Sequence, residues 1–229
     1  MQKKDGFDFV AGELLLINKP LTWTSFDVVN KVRFILQKKL GLKLKVGHAG
    51  TLDPLATGLL IICTGKLTKK ISEYQSQEKE YTGTFTLGAT TPSYDLETTP
   101  DTFYPMDTIT EEQIKITARK FIGTSNQLPP VFSAGKIDGK RAYLKARKGE
   151  PVALKPKEVT ISDLGITNIE LPEVKFRVVC SKGTYVRSIA YDFGKALDSG
   201  AYLSKLCRTR IGEFKIEDST TIEQFQSLI

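Results

Sequence analysis

The chain has 229 residues, of which 40% are hydrophobic and 26% charged, with a formal net charge of +7. That composition fits a soluble globular protein; no run approaches the roughly 18 consecutive apolar residues of a membrane span, and Met-Gln-Lys-Lys-Asp-Gly at the N-terminus has no apolar core behind it to make a secretory signal. Three distant cysteines (Cys63, Cys180, Cys207) and one histidine, His48, do not have zinc-site spacing, and they predict reduced buried thiols in a cytoplasmic protein without a metal.

Gly12–Asn18 is a short apolar run closed by Lys19-Pro20, which predicts a buried strand. Thr24 or Ser25 can cap the helix that follows, in which Phe26, Val29, Val32, Ile35 and Leu36 recur at helical spacing. Its end falls near Lys38-Lys39, where cations suit the C-terminal dipole, before Gly41. Residues 47–60 then read Gly-His-Ala-Gly-Thr-Leu-Asp-Pro-Leu-Ala-Thr-Gly-Leu-Leu. One carboxylate, Asp53, sits among small, apolar and hydroxyl residues, shaped by Gly47, Gly50, Pro54 and Gly58. A lone Asp on such a loop is how a rigid fold presents one reactive group. Leu59–Cys63 is continuously apolar and predicts a central strand.

Lys79–Leu87 alternates Tyr81, Gly83, Phe85 and Leu87 against Glu80, Thr82, Thr84 and Thr86, the pattern of a half-buried strand. Gly88 to Asp107 reads as a long loop, and Thr110-x-x-Gln113 as a capping box opening a helix to about Phe121. Leu128-Pro129-Pro130 precedes a strand near Val131–Lys136, a turn at Asp138-Gly139 and a short helix over Arg141–Lys148. Strands over Val159–Glu170 and Val174–Ser181, a helix over Tyr185–Leu197, a strand over Tyr202–Ile211 and a helix over Ile222–Ile229 complete the chain. The irregular alternation and the hairpins predict an α+β fold, a mixed, largely antiparallel sheet flanked by helices, as one domain over 1–229.

Charge is segregated. Residues 28–52 hold six Lys and Arg and no acid; residues 136–157 hold eight against two acids; residues 89–114 hold six acids and no Lys or Arg. The first basic block leads straight into the Asp53 loop, which points to a phosphate-bearing partner. No Gly-x-x-x-x-Gly-Lys-Ser/Thr loop is present, which excludes a P-loop nucleotide site. Gly47-His48-Ala49-Gly50 matches a KH-type Gly-x-x-Gly only formally, because the basic pair expected inside it is missing.

The Leu-Asp-Pro-Leu-Ala-Thr-Gly run resembles the catalytic loop of the TruB-type tRNA pseudouridine synthases. Further segments resemble the same family in the same order. They are Lys79-Glu80-Tyr81, the acidic stretch to Asp95, Leu128-Pro129-Pro130-x-x-Ser133-Ala134-x-Lys136-x-x-Gly139, Cys180-Ser181-Lys182-Gly183-Thr184-Tyr185-Val186-Arg187, and Leu203–Arg210. The resemblance implies that Asp53 is the catalytic carboxylate, that Tyr81 stacks on the target base, and that Tyr185 and Arg187 join the site. It also implies that Arg187 pairs with Asp53 and keeps it ionised. His48 and Lys19 are implied near the substrate, with Leu206 as the apolar residue of the closing strand. Two residues along a helix turn by about 200°, so Tyr185 and Arg187 are expected at a strand-to-helix junction.

The implied reaction converts uridine 55 in the T loop of tRNA to pseudouridine. It needs no cofactor, because uracil itself delocalises the charge, and the expected partner is the T arm of tRNA, bound by a monomer. A C-terminal RNA-binding domain of the PUA type, carried by many members, is not expected before Ile229. The alternatives are a synthase acting on a different RNA and a chaperone that grips the T loop.

Overall fold

The computed structural model describes residues 6–132, 136–137, 140–141 and 154–229. The expected turn at Asp138-Gly139, the helix over 141–148 and most of the basic block at 136–157 lie outside the described residues. The described chain divides into two compact units, one formed by residues up to 79 with 207–229, the other by 80–206.

In the first unit, strand β1 (Leu14–Lys19) leads to helix α1 (Ser25–Leu40), then to β2 (Val46–His48) and β3 (Ala56–Thr64). The N-terminus of α1 is closed by a capping box in which Thr24 accepts from the Asp27 amide while Asp27 accepts from that of Thr24. Antiparallel pairing runs from Leu14 opposite Cys63 to Lys19 opposite Gly58, and β2 pairs with β3 as well. Strand β3 is buried on both faces, which explains its unbroken apolar run. Leu60 and Ile62 pack with Val28, Val32 and Leu36 of α1 and with Phe225, whereas Leu59, Ile61 and Cys63 pack with Ala49 and Ile211. Each such fully buried side chain contributes roughly 1.5–3 kcal/mol.

Phe26, expected on the buried face of α1, is 61% exposed. The buried stripe is Ser25, Val28, Val29, Val32, Ile35 and Leu36, and Phe26 falls about 120° from its centre at 100° per residue. A 3₁₀ segment (Gly65–Lys70) and the short helix α2 (Ile71–Ser76) were not apparent from periodicity. The end of strand β12 (Ala201–Ile211), the two-residue β13 (Phe214–Lys215) and helix α5 (Ile222–Leu228) complete the unit. A second capping box, Thr221 with Gln224, opens α5.

In the second unit the strand order is β12-β4-β11-β10-β7, where β4 is Lys79–Leu87, β7 Gly123–Gln127, β10 Lys157–Glu170, β11 Glu173–Cys180 and β12 Ala201–Ile211. Strands β10 and β11 form an antiparallel hairpin, and β7 pairs antiparallel with β10. Helices α3 (Glu111–Arg119) and α4 (Val186–Ala196) belong to this unit. The Thr110/Gln113 capping box forms as expected. Its aromatic centre joins Phe85 and Phe176, with ring centroids 4.0 Å apart, to Phe193.

The stretch 88–107, expected as a long loop, carries a small ribbon of β5 (Ala89–Thr90) and β6 (Thr102–Phe103). Its centre is packed: Thr91, Ser93 and Asp95 are buried. Residues 131–132 form a bend instead of the expected strand, and the pairing lies in β8 (Lys136–Ile137) with β9 (Lys140–Arg141). The α+β class with a largely antiparallel sheet flanked by helices is the fold observed. Among the described residues no helix is long and apolar enough to cross a membrane.

Candidate active site

The Asp53 loop joins β2 to β3 and is held at Leu52, Asp53 and Pro54 by neighbours in the first unit. Ser25, the first residue of α1, donates through Oγ to Leu52 O at 3.1 Å and accepts from Leu52 N at 2.8 Å. Thr22 N donates to Pro54 O at 2.9 Å, and Ala56 N donates to Asp53 O at 3.1 Å. Asp53 itself is half-buried at the turn these bonds define.

Lys19 ends β1 with 0% exposure. Its Nζ donates to Trp23 O at 2.6 Å, Pro20 O at 2.9 Å and Pro54 O at 3.3 Å. Burial lowers its pKa to about 8, the charge of Asp53 opposing the fall and that of Arg208 adding to it. The resemblance implies a place near the substrate for Lys19, and its ammonium donates to backbone carbonyls in and beside the loop. His48 ends β2, just before the loop. Burial lowers its pKa below the usual histidine value, against the backbone of Gly50, and the Arg208 cation adds to the fall. The imidazole is therefore neutral at pH 7.

Arg208 also belongs to this unit. It is a buried cation on β12 that donates to Leu59 O and Gly50 O. Sequence reading passed over it, since one Arg on a strand carries no signal of burial. Cys63 is buried, which pushes its thiol up to about 11, so it stays protonated and inert.

In the second unit, Tyr81 lies on β4 and is 9% exposed. Tyr185 occupies the N-cap position of α4 with extended backbone, and Arg187 lies in the first helical turn. That is the strand-to-helix junction expected for the pair. Gln127, at the end of β7, brackets Tyr185, accepting from its N at 2.8 Å and donating to its O at 3.1 Å. Arg187 is 4% exposed. Its Nη1 donates to Ser93 O at 3.2 Å, and its Nε lies 3.6 Å from Asp95 Oδ2. Asp95, in the acidic stretch, is a buried carboxylate that the run of Thr, Pro and Ser around it does not signal. Leu206 lies half-buried on β12.

Residues 36–186 match the model of the TruB family pseudouridylate synthase (N terminal domain). The chain belongs to that family. It is a pseudouridine synthase. It is 56% identical over 221 residues to a tRNA pseudouridine synthase B of Flavobacterium johnsoniae, covering 96% of both chains. It is 57% identical over 219 residues to one from Phocaeicola vulgatus, covering 95% of this chain and 93% of that one. Among solved structures it is similar to a chain in a Cbf5-Nop10-Gar1 complex, with a TM-score of 0.73 and 29% identity over 96% of this chain and 54% of that one. An H/ACA RNP bound to a substrate RNA containing 2'-deoxyuridine matches with a TM-score of 0.69 and 26% identity over 93% of this chain and 52% of that chain.

Proposed function

We propose that this pseudouridine synthase acts on uridine 55 in the T loop of tRNA, as a cytoplasmic monomer whose two units serve as one catalytic domain. The observation that carries this reading is the identity above 50% to tRNA pseudouridine synthases B over nearly the full length of both chains. The segregated basic blocks of the sequence support a polyanionic substrate.

The reaction breaks the C1′–N1 bond, turns the uracil, and forms a C1′–C5 bond; the C5 proton leaves and N1 gains one. Asp53 supplies the carboxylate on a loop whose backbone is fixed by Ser25, Thr22 and Lys19. A group held this way needs little reorganisation in the transition state. Tyr81 offers a ring face for the extruded base, and the hydroxyl of Tyr81 or Tyr185 relays the C5 proton. Arg187 supplies a buried guanidinium, Leu206 an apolar contact, and neutral His48 a flat surface for a neighbouring base. Extrusion of the uridine costs a few kcal/mol and is least from a loop.

The test is tritium release from C5-labelled uridine in an unmodified tRNA transcript. Wild type releases tritium; Asp53→Asn, or cytidine at position 55, abolishes release. Release that persists without uridine 55 moves the target to another uridine. Tight binding with no release by wild type supports the chaperone alternative.

A further inference from the structure

Arg208 reaches the Asp53 loop from β12 and is 1% exposed. Its Nε donates to Leu59 O at 2.7 Å and its Nη2 donates to Gly50 O at 3.1 Å. Gly50 lies at the start of the loop and Leu59 in β3 beyond its end, so one planar guanidinium ties the loop to the strand it enters.

Gly58, in β3, fits Arg208 closely, whereas Gly50 leaves it ordinary contact distance. Gly58 has φ +101°, and a Cβ there would stand 2.4 Å from Arg208 O, 2.7 Å from Arg208 N and 2.9 Å from Cys207 Sγ. Gly50 has φ +102°, and a Cβ there would stand 3.5 Å from Arg208 Nη1. The main chain of Arg208 thus packs on β3 just beyond the loop, and its side chain reaches the start of the loop. Ser25 and Lys19 hold the middle, at Leu52 and Pro54.

We infer that Arg208 is a positioning residue for pseudouridine formation, setting where the Asp53 loop sits by gripping the Gly50 and Leu59 carbonyls together. The inference rests on the reading of Asp53 as the catalytic carboxylate. Arg208 acts through backbone alone in this assignment, and it holds two acceptors at a fixed separation that the planar fork of an arginine matches and a lysine ammonium does not. The cation also helps to lower the pKa of His48. His48 is the chain's only histidine, so its imidazole resonances report on the loop without ambiguity.

The test compares wild type, Arg208→Lys, Arg208→Met and Asp53→Asn in the full chain on unmodified tRNA transcript. Turnover is normalised to folded protein by circular dichroism, and the His48 resonances are followed by NMR. Arg208→Lys is expected to lower kcat by about tenfold to a hundredfold, the scale of a misplacement near 1 Å, with KM for tRNA within about twofold, the pattern of an interaction that serves only the reaction step. The His48 resonances move with it, and Arg208→Met lowers kcat further. A folded Arg208→Lys variant with wild-type kcat overturns the assignment, as does a raised KM at unchanged kcat. A Lys variant that fails to fold also overturns it, making Arg208 a folding residue. Full activity in Asp53→Asn would instead overturn the reading of Asp53 itself.

Discussion

Arg187 Nε stands 3.6 Å from Asp95 Oδ2, with both side chains buried, and the same guanidinium donates to Ser93 O. A helix residue at the mouth of α4 is thereby tied to the packed stretch between β5 and β6. Asp95 and the Ser93 carbonyl together help to set where Arg187 points. Breaking a buried ion pair by removing one partner costs about 3–5 kcal/mol. Asp95→Asn is therefore expected to lower the melting temperature by roughly 10 °C. It should also cut turnover per folded molecule by tenfold or more, read by tritium release. Equal melting and equal turnover in wild type and variant would refute the role.

Lys19 carries opposite consequences for stability and activity. Its pKa is about 8 in the folded chain against 10.5 when unfolded. Between those values the unfolded state binds more protons, so stability rises with pH there. The burial cost is fully present below pH 8 and is relieved as pH climbs to 10.5, by on the order of 3 kcal/mol. A neutral amine grips its carbonyl acceptors less firmly, so turnover is expected to fall along an alkaline limb near pH 8. Urea unfolding of wild type and Lys19→Met from pH 7 to 10.5 isolates the effect. The wild type should gain on the variant across that range, and parallel curves would contradict it.

Gly50 and Gly58 make a matched pair of substitutions. Both have φ near +100°, where any side chain is strained by about 1–2 kcal/mol. Only at Gly58 does a Cβ also collide with backbone, that of Arg208. Gly58→Ala should therefore destabilise by clearly more than Gly50→Ala in denaturant titrations. Equal losses would mean that β12 moves aside freely.

How much of this was readable beforehand depended on the kind of signal. The two-sided apolar run of β3, the alternation of β4 and the capping box at Thr110 are local patterns, and each formed as expected. The Asp53 loop was legible because its glycines and proline are local too. What pairs distant residues left no local trace. Asp95 lies in a segment whose Pro, Thr and Asp content reads as solvated loop, and its burial is offset by partners such as Arg187 and the Glu97 amide, which no local pattern announces. Arg208 and Lys19 are cations at strand positions, where exposure is the ordinary expectation. Their burial depends on carbonyls at Gly50, Leu59, Trp23 and Pro54, acceptors that every residue carries and no sequence pattern marks.

Tyr94 and Tyr191 stack with ring centroids 4.1 Å apart and planes at 17°. Tyr94 lies between Ser93 and Asp95, both of which meet Arg187, and Tyr191 stands one turn beyond Arg187 on α4. The stack therefore closes a second link between the same two segments. Such a pair is worth about 0.5–1.5 kcal/mol beyond its buried area, and a double-mutant cycle of Tyr94→Ala and Tyr191→Ala should return that coupling. The backbone adds a sharper expectation. Tyr94 has φ 64°, a left-handed conformation that costs a side-chain-bearing residue about 1–2 kcal/mol and glycine almost nothing. Tyr94→Gly should therefore destabilise less than Tyr94→Ala, although both lose the ring. If glycine proves the worse replacement, the left-handed turn is not what positions Ser93 and Asp95, and the stack alone must hold them.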